Sequence, residues 1–213
     1  NSNVTVPASQ VAERFRIPFL NPDSTSPVLN KRGLTWFFRT TPDDETFVED
    51  FFRFFKDLEA RGIKIQSVAS VCQNALSGVD NANLIKRFAQ QYGFKLVEAQ
   101  LFTPNSADLS SEIQRLKAAR PDVLIAHAEI ADAMLLTKQL KELDFNPDAV
   151  VASAAGFVVA EYLGTLGREA DYIISREVFS LDFAAKKPIV KAVNDLYRSR
   201  YGKDMNGHNA RVF

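Results

Sequence analysis

The sequence predicts an α/β protein built on a parallel sheet with helices on both faces. Three observations carry that prediction. From Lys64 onward, short apolar runs and amphipathic stretches alternate through some four units, and strands joined this way need crossover connections. The run PDVLIAHAEIADAMLLTKQLKELDFNPDAVVAS (121–153) shows one unit whole: strand, small polar loop, amphipathic helix, next strand. The pieces on either side of the alternating block form no complete sheet alone, which predicts a second lobe only part of which lies in this sequence.

In chain order, VPASQVAERF predicts a short helix, followed by a strand around Pro18–Leu20, a turn-rich loop and a strand around Trp36–Arg39. RTTPDDETFVEDFFRFFKDLEARG then predicts a long helix with Thr41 as cap, Pro42 at the first helical position and acids in the first turn. Its apolar positions are Phe47, Val48, Phe51, Phe52, Phe54, Phe55 and Leu58, a core stripe. KIQSVASV (64–71) is a strand, and residues 78–93 a helix with Val79, Ala82, Ile85, Phe88 and Ala89 on one face. FKLVEAQLF (94–102) is the next strand. Residues 106–121 form a helix carrying Leu109, Ile113 and Leu116, with Ser106 or Asp108 as cap and Pro121 past its end. DVLIAH is a strand, ADAMLLTKQLKELDF a helix, AVVAS a strand, VVAEYLGTLG a short helix and YIISREVF a last strand. AAKKPIVKAVNDLYRSRYGK closes the chain with an amphipathic helix.

Composition narrows the function. The 213 residues can bury a full core. Twenty-six basic residues balance 26 acidic ones, which argues against a nucleic-acid surface, where Lys and Arg concentrate on one face. No run of about 18 apolar residues occurs, so nothing in this segment is expected to insert in a membrane. The single cysteine, Cys72, excludes an internal disulfide and a cysteine-based zinc site. The sequence opens on NSNVTVPASQ, which is no signal peptide, and ends on NGHNARVF; both ends read as cut from something longer. Asn3-Val4-Thr5 matches the glycosylation triplet, a pattern common by chance.

Ligands of open parallel sheets bind beyond the carboxyl ends of the strands. Four loops leave those ends: QNALSG (73–78), FTPNSAD (102–108), HAEIAD (127–132) and SAAGF (153–157). None is a phosphate loop, because neither Gly-x-Gly-x-x-Gly nor the Walker pattern occurs. Only two histidines exist, His127 and His208, far apart in sequence, so neither a catalytic triad nor a histidine metal site is indicated. His127, at a strand end, reads as a hydrogen-bonded structural residue. Glu129 stands at the mouth of that strand, where solvation and ligand contact are both open readings. Asp132 reads as a cap of the following helix, and Cys72 as a small core residue.

IPFLNPDSTSPVLNKRGLTWFFRTTPDD resembles a segment of the type I periplasmic solute-binding proteins of the branched-chain amino acid and amide transporter family. SVASVCQNALSG, FTPNSADLSSEIQRLKAARPDVLIAH and KKPIVKAVNDLYRSRYGK are similar to further blocks of it, in order. The resemblance implies two Rossmann-like lobes joined by hinge strands, with the solute clamped between them. It places residues 1–42 in part of lobe one, 43–180 in a complete lobe two, and 181–213 in a return to lobe one, which stays incomplete. It implies no enzyme activity, no catalytic residue, no metal and no cofactor. The partners it implies are a small solute and the membrane permease of an ABC importer, in a periplasmic or other extracytoplasmic location.

The resemblance also carries site residues by position. Ser2 falls where a first-lobe serine holds the solute's carboxylate; Asp23, Ser24 and Thr25 fall where a carbonyl and a threonine hold its amino and carboxylate groups. Ser77, with Leu76 beside it, falls where an aromatic usually precedes a glycine, here Gly78; Glu129 falls near a second aromatic, and Ala155 and Gly156 in the loop where amino-acid binders place a carboxylate. Both aromatics and that carboxylate are missing here. Asp23 is expected to restore one negative charge, and with Glu129 it favours a solute bearing a cationic or hydroxyl group. The competing readings are a ligand-sensing domain of a receptor or regulator with the same fold, and a Rossmann-like enzyme, which the absent phosphate loop disfavours.

Overall fold

The computed structural model describes residues 2–213, with the side chain of His208 outside the description. Helix α1 (Ser2–Phe15) leads into strand β1 (Phe19–Asn21), a 3-10 turn and strand β2 (Phe37–Arg39). Helix α2 (Asp44–Ala60) begins the alternating block: β3 (Ser67–Gln73), α3 (Leu76–Tyr92), β4 (Lys95–Phe102), α4 (Ser110–Ala119), β5 (Val123–His127), α5 (Ile130–Glu142), β6 (Ala149–Ala152), α6 (Ala160–Leu166) and β7 (Ile173–Ser175). Helices α7 (Pro188–Tyr201) and α8 (Gly207–Val212) complete the chain.

The main sheet has the order β4-β3-β5-β6-β7, and every pairing in it is parallel. Side chains alternate across it as the two-residue strand period requires. Val68 and Cys72 of β3, with Val123 and Ile125 of β5, face a core closed by α2 and α3, including Phe52, Phe55 and Phe88. Ala69, Val71, Leu124 and Ala126 face the opposite core, closed by Ile113, Leu116, Leu136, Leu140 and Tyr162. A second sheet holds only β1 and β2, paired in parallel. Among the described residues no helix is long and apolar enough to cross a membrane.

Several boundaries differ from the sequence expectation, each for a physical reason. Helix α2 starts at Asp44 because Asp43, not Thr41, is the cap: its carboxylate accepts the Thr46 amide at 3.1 Å. Pro42 therefore precedes the cap, and the cap carboxylate is held in turn by Arg39 at 3.0 Å. Strand β3 runs from Ser67 to Gln73 instead of 64–71, since Asp122 accepts the Gln66 and Ser67 amides, both at 2.8 Å, and fixes the strand start there. Phe54 is 39% exposed while Phe52 is fully buried, so the aromatic stripe of α2 is narrower than its sequence. Strand β7 ends at Ser175, four residues before the expected end. Helix α4 starts at Ser110, and it is Asp108 rather than Ser106 that accepts the Ser110 amide, at 3.0 Å.

Candidate functional site

Strand β3 has β4 on one side and β5 on the other, so the chain's progress across the sheet reverses at this strand. The loops leaving β3 and β5 part there and open a crevice at their carboxyl ends, the usual ligand position in an open α/β sheet. Three side chains reach it: Ser77 from the first turn of α3, and His127 and Glu129 from the end of β5. Ala154 and Ala155 come from the loop after β6, and Arg176 from the residue after β7. The opposite wall is Ser2, Asp23, Ser24 and Thr25, and Arg211 of α8 closes one side. The cleft encloses about 60 Å³, space for a few waters.

The wall opposite the sheet is shaped by Asn21. Its Oδ1 accepts the amides of Ser24 (2.9 Å) and Asp23 (3.3 Å), and its Nδ2 donates to the Ser24 carbonyl at 2.8 Å. This is the local turn chemistry that Asn supplies. Ser24 Oγ and Thr5 Oγ1 share a 2.7 Å hydrogen bond, and Ser2 Oγ accepts the Ser26 amide at 3.3 Å. Two contacts join this wall to the main sheet's helices: the Asp44 amide donates to the Thr25 carbonyl at 2.8 Å, and Ser26 Oγ donates to Asp80.

On the sheet side, Gln73 organises the loop after β5. Its Oε1 accepts the Glu129 amide at 3.0 Å, and its Nε2 donates to Asp132. The carboxylate of Asp132 also accepts the Asn105 amide at 3.0 Å. Asp132 is therefore a bridge between loops and caps nothing, contrary to the sequence expectation. Its hold on Asn105 ties the loop 102–108 to α5, and none of that loop's residues lines the cleft. Gly156 fits because a Cβ there would come within 2.3 Å of the Ala128 carbonyl oxygen.

The electrostatics follow from burial. His127 is buried, its Nε2 lies 3.2 Å from Ser77 Oγ, and its Nδ1 has no partner among the described residues. Burial first and the Arg176 charge second push its pKa down to about 3, so the ring is neutral. Asp44 is fully buried, and both its oxygens lack a hydrogen bond of good geometry. Burial pushes the group up to about 6, opposed by Thr25, then the Arg176 charge and Asn81, and helped by the Asp80 charge. Burial lowers the pKa of Arg176, and Asp44 opposes that shift. Cys72, buried in the sheet, is pushed up to about 12 by burial and is an unreactive core thiol.

Of the positions expected from the sequence, Ser2, Asp23, Ser24, Thr25, Ser77, Glu129 and Ala155 come together around the cleft. Leu76 and Gly156 do not line it: the Leu76 amide is turned to Asn3 Oδ1 at 3.2 Å, and Gly156 packs on the Ala128–Glu129 backbone. Asp23 does not stand as an uncompensated charge, because Arg211 pairs with it and with Glu177 at 2.7 Å. Two arginines escaped the sequence reading. Arg176 follows β7 directly, and the strand-end rule that selected Glu129 finds it once the strand is ended at Ser175. Arg211 has no local signal at all, since its partner Asp23 lies 188 residues away. A larger groove of about 410 Å³ is lined by Phe157, Leu181 and Met205 together with Glu177, Ser180 and Asn206. Among the described residues no cluster of His, Cys, Asp and Glu could hold a metal.

Comparison with known proteins agrees with this architecture. The chain is similar to the Leu/Ile/Val-binding protein homolog 7 of Brucella melitensis, 24% identical over 217 residues, covering 98% of this chain and 54% of the relative. Its fold is similar to that of an extracellular ligand-binding receptor from Rhodopseudomonas palustris (TM-score 0.84, 17% identity, 98% of this chain and 58% of that one). A leucine-binding protein from Thermotoga maritima is similar too (TM-score 0.82, 20% identity, 95% and 55%). These are type I periplasmic binding proteins, and the α/β architecture found here, parallel sheets with helices, is theirs. The chain spans about half the length of the curated relatives it matches. The family described as periplasmic binding protein, a family of solute-binding proteins and not of enzymes, matches residues 1–213, and the chain belongs to it.

Proposed function

We propose that the protein is the extracytoplasmic solute-binding component of an ABC importer. It clamps a small polar solute between two lobes and presents the closed form to a membrane permease. The observation that carries this reading is the convergence of three separate chain segments on one polar cleft. Residues 2–25 supply hydroxyls and Asp23, the sheet's strand ends supply Ser77, His127, Glu129 and Arg176, and α8 supplies Arg211. Sites of this kind bind through a few placed polar groups in a largely preformed crevice.

Residues 1–42 and 181–213 belong, in this reading, to lobe one, and 43–180 to lobe two. The cleft's small volume then reflects apposed walls, and a solute enters as the lobes separate and is buried as they close. Ser2, Ser24 and Thr25 present hydroxyls to an anionic end of the solute, whereas Glu129 accepts from a cationic or hydroxyl group. The relatives' names point to amino acids as the class to try first.

The test is calorimetry and thermal shift on the full-length parent protein, with amino acids, amides, polyamines and small organic acids. A ligand should raise the melting temperature saturably. Ser77→Ala and Glu129→Gln should each lower its affinity about tenfold, as loss of one hydrogen bond does, with the fold intact. Unchanged affinity in both variants places the solute elsewhere.

A further inference from the structure

The cleft contains two guanidinium groups, and the fold treats them differently. Arg211 is paired inside the protein: Nη1 donates to Asp23 and Nη2 to Glu177 at 2.7 Å, while its buried Nε has no partner among the described residues. Arg176 is held but not matched. Its Nε donates to the Ser153 carbonyl at 3.0 Å, and its Cζ lies 3.8 Å from the centre of the Phe47 ring. Those two contacts fix the plane of the guanidinium and leave the far edge, Nη1 and Nη2, directed to no acceptor among the described residues. No described carboxylate forms an ion pair with it. Arg176 is half-buried, and the nearby Asp44 acts on it by charge without forming an ion pair, so closing the cleft over its far edge is costly unless something completes it. Its neighbours in the cleft do not: His127 is neutral, and Ser77 Oγ is engaged with the His127 ring.

We propose that Arg176 receives a carboxylate of the solute, and that the solute therefore carries two carboxylates: a small dicarboxylic acid, with acidic amino acids as the first candidates. This rests on the solute-binding reading above. The planar fork of Arg176 suits bidentate carboxylate recognition. The hydroxyls of Ser2, Ser24 and Thr25 on the opposite wall suit a second oxyanion, and Glu129 suits an ammonium or hydroxyl between them. A neutral branched-chain amino acid would leave Arg176 buried on closure without a partner. The pocket thus discriminates by the cost of an unmatched charge as much as by attraction.

Titration calorimetry of the full-length protein at fixed ionic strength, with glutamate, aspartate and succinate against glutamine and leucine, tests this. Glutamate and glutamine differ at the terminal group alone, so the comparison needs no variant. A dicarboxylate should bind at least tenfold more tightly than glutamine or leucine. Arg176→Gln should reduce that preference to threefold or less, and Arg176→Lys should retain part of it, with apo melting temperatures reporting whether each variant folds. Glutamine or leucine binding as tightly as any dicarboxylate overturns the inference and leaves the solute-binding reading standing. Binding by none of the five, together with silence in the broader ligand screen, overturns both.

Discussion

Two buried titratable residues beside the cleft act in opposite directions on stability. Asp44 is ionised in an unfolded chain above its ordinary 3.8 but is pushed up to about 6 here. Between these values the folded chain holds a proton the unfolded chain has lost, so stability falls as pH rises through that window, by about 3 kcal/mol at neutrality. His127 is pushed from 6.5 down to about 3. The unfolded chain takes up a proton below 6.5 that the folded chain refuses, so stability falls as pH drops. The slopes offset each other between pH ~4 and ~6. Asp44→Asn should raise the melting temperature at pH 7.5, lose that advantage near pH 4, and uncover the acid-side decline due to His127. Thermal melts of wild type, Asp44→Asn and His127→Gln across pH check this; an Asp44→Asn advantage independent of pH refutes the assignment. Gly156 is a second residue-scale case. A Cβ there would lie within 2.6 Å of the Glu129 carbonyl carbon as well as against the Ala128 oxygen, both backbone atoms that cannot rotate away. Gly156→Ala should cost about 1–3 kcal/mol and weaken solute affinity by shifting Glu129, although Gly156 itself touches no solute.

At the scale of elements, α2 illustrates how burial selects within an apolar stripe. Phe52 and Phe55 pack edge-to-face at 5.6 Å between ring centres, Tyr92 stacks on Phe52, and Phe94 lies tilted to Phe52 and edge-on to Phe55. Phe52→Ala should cost about 3–5 kcal/mol in chemical denaturation. Phe54→Ala, on the half-exposed flank, should cost less than about 1 kcal/mol; equal costs would mean that the stripe is wider than the structure has it. The alternation of strand and helix was legible because fully buried parallel strands are apolar end to end while the covering helices are not. Element ends were less legible, since they depend on side-chain contacts made at a distance. Asp122 sets the start of β3 from 55 residues away, and Asp43 caps α2 while pinned by Arg39. The candidate site followed the same division. Ser77 and Glu129 could be read from strand ends, Arg176 was hidden by a strand drawn too long, and Arg211 reaches the cleft by tertiary folding alone.

For the whole molecule, sequence separation sets an order of assembly. Each pairing in the main sheet joins strands that are neighbours or next-neighbours in the chain, so its loop-closure cost is small. The Asp23–Arg211 pair, by contrast, closes a loop of 188 residues. Amides of β5, buried along its whole length, should exchange with solvent most slowly. Those of α8, a six-residue helix held by the long-range contacts of Arg211, should exchange faster. Hydrogen exchange by mass spectrometry resolves the two, and Arg211→Ala should accelerate exchange in α8 without changing that in β5. Equal protection of both segments would mean that they unfold as one unit. If α8 detaches first, the sheet persists and the side of the cleft that Arg211 closes is lost with a contact spanning 188 residues of sequence.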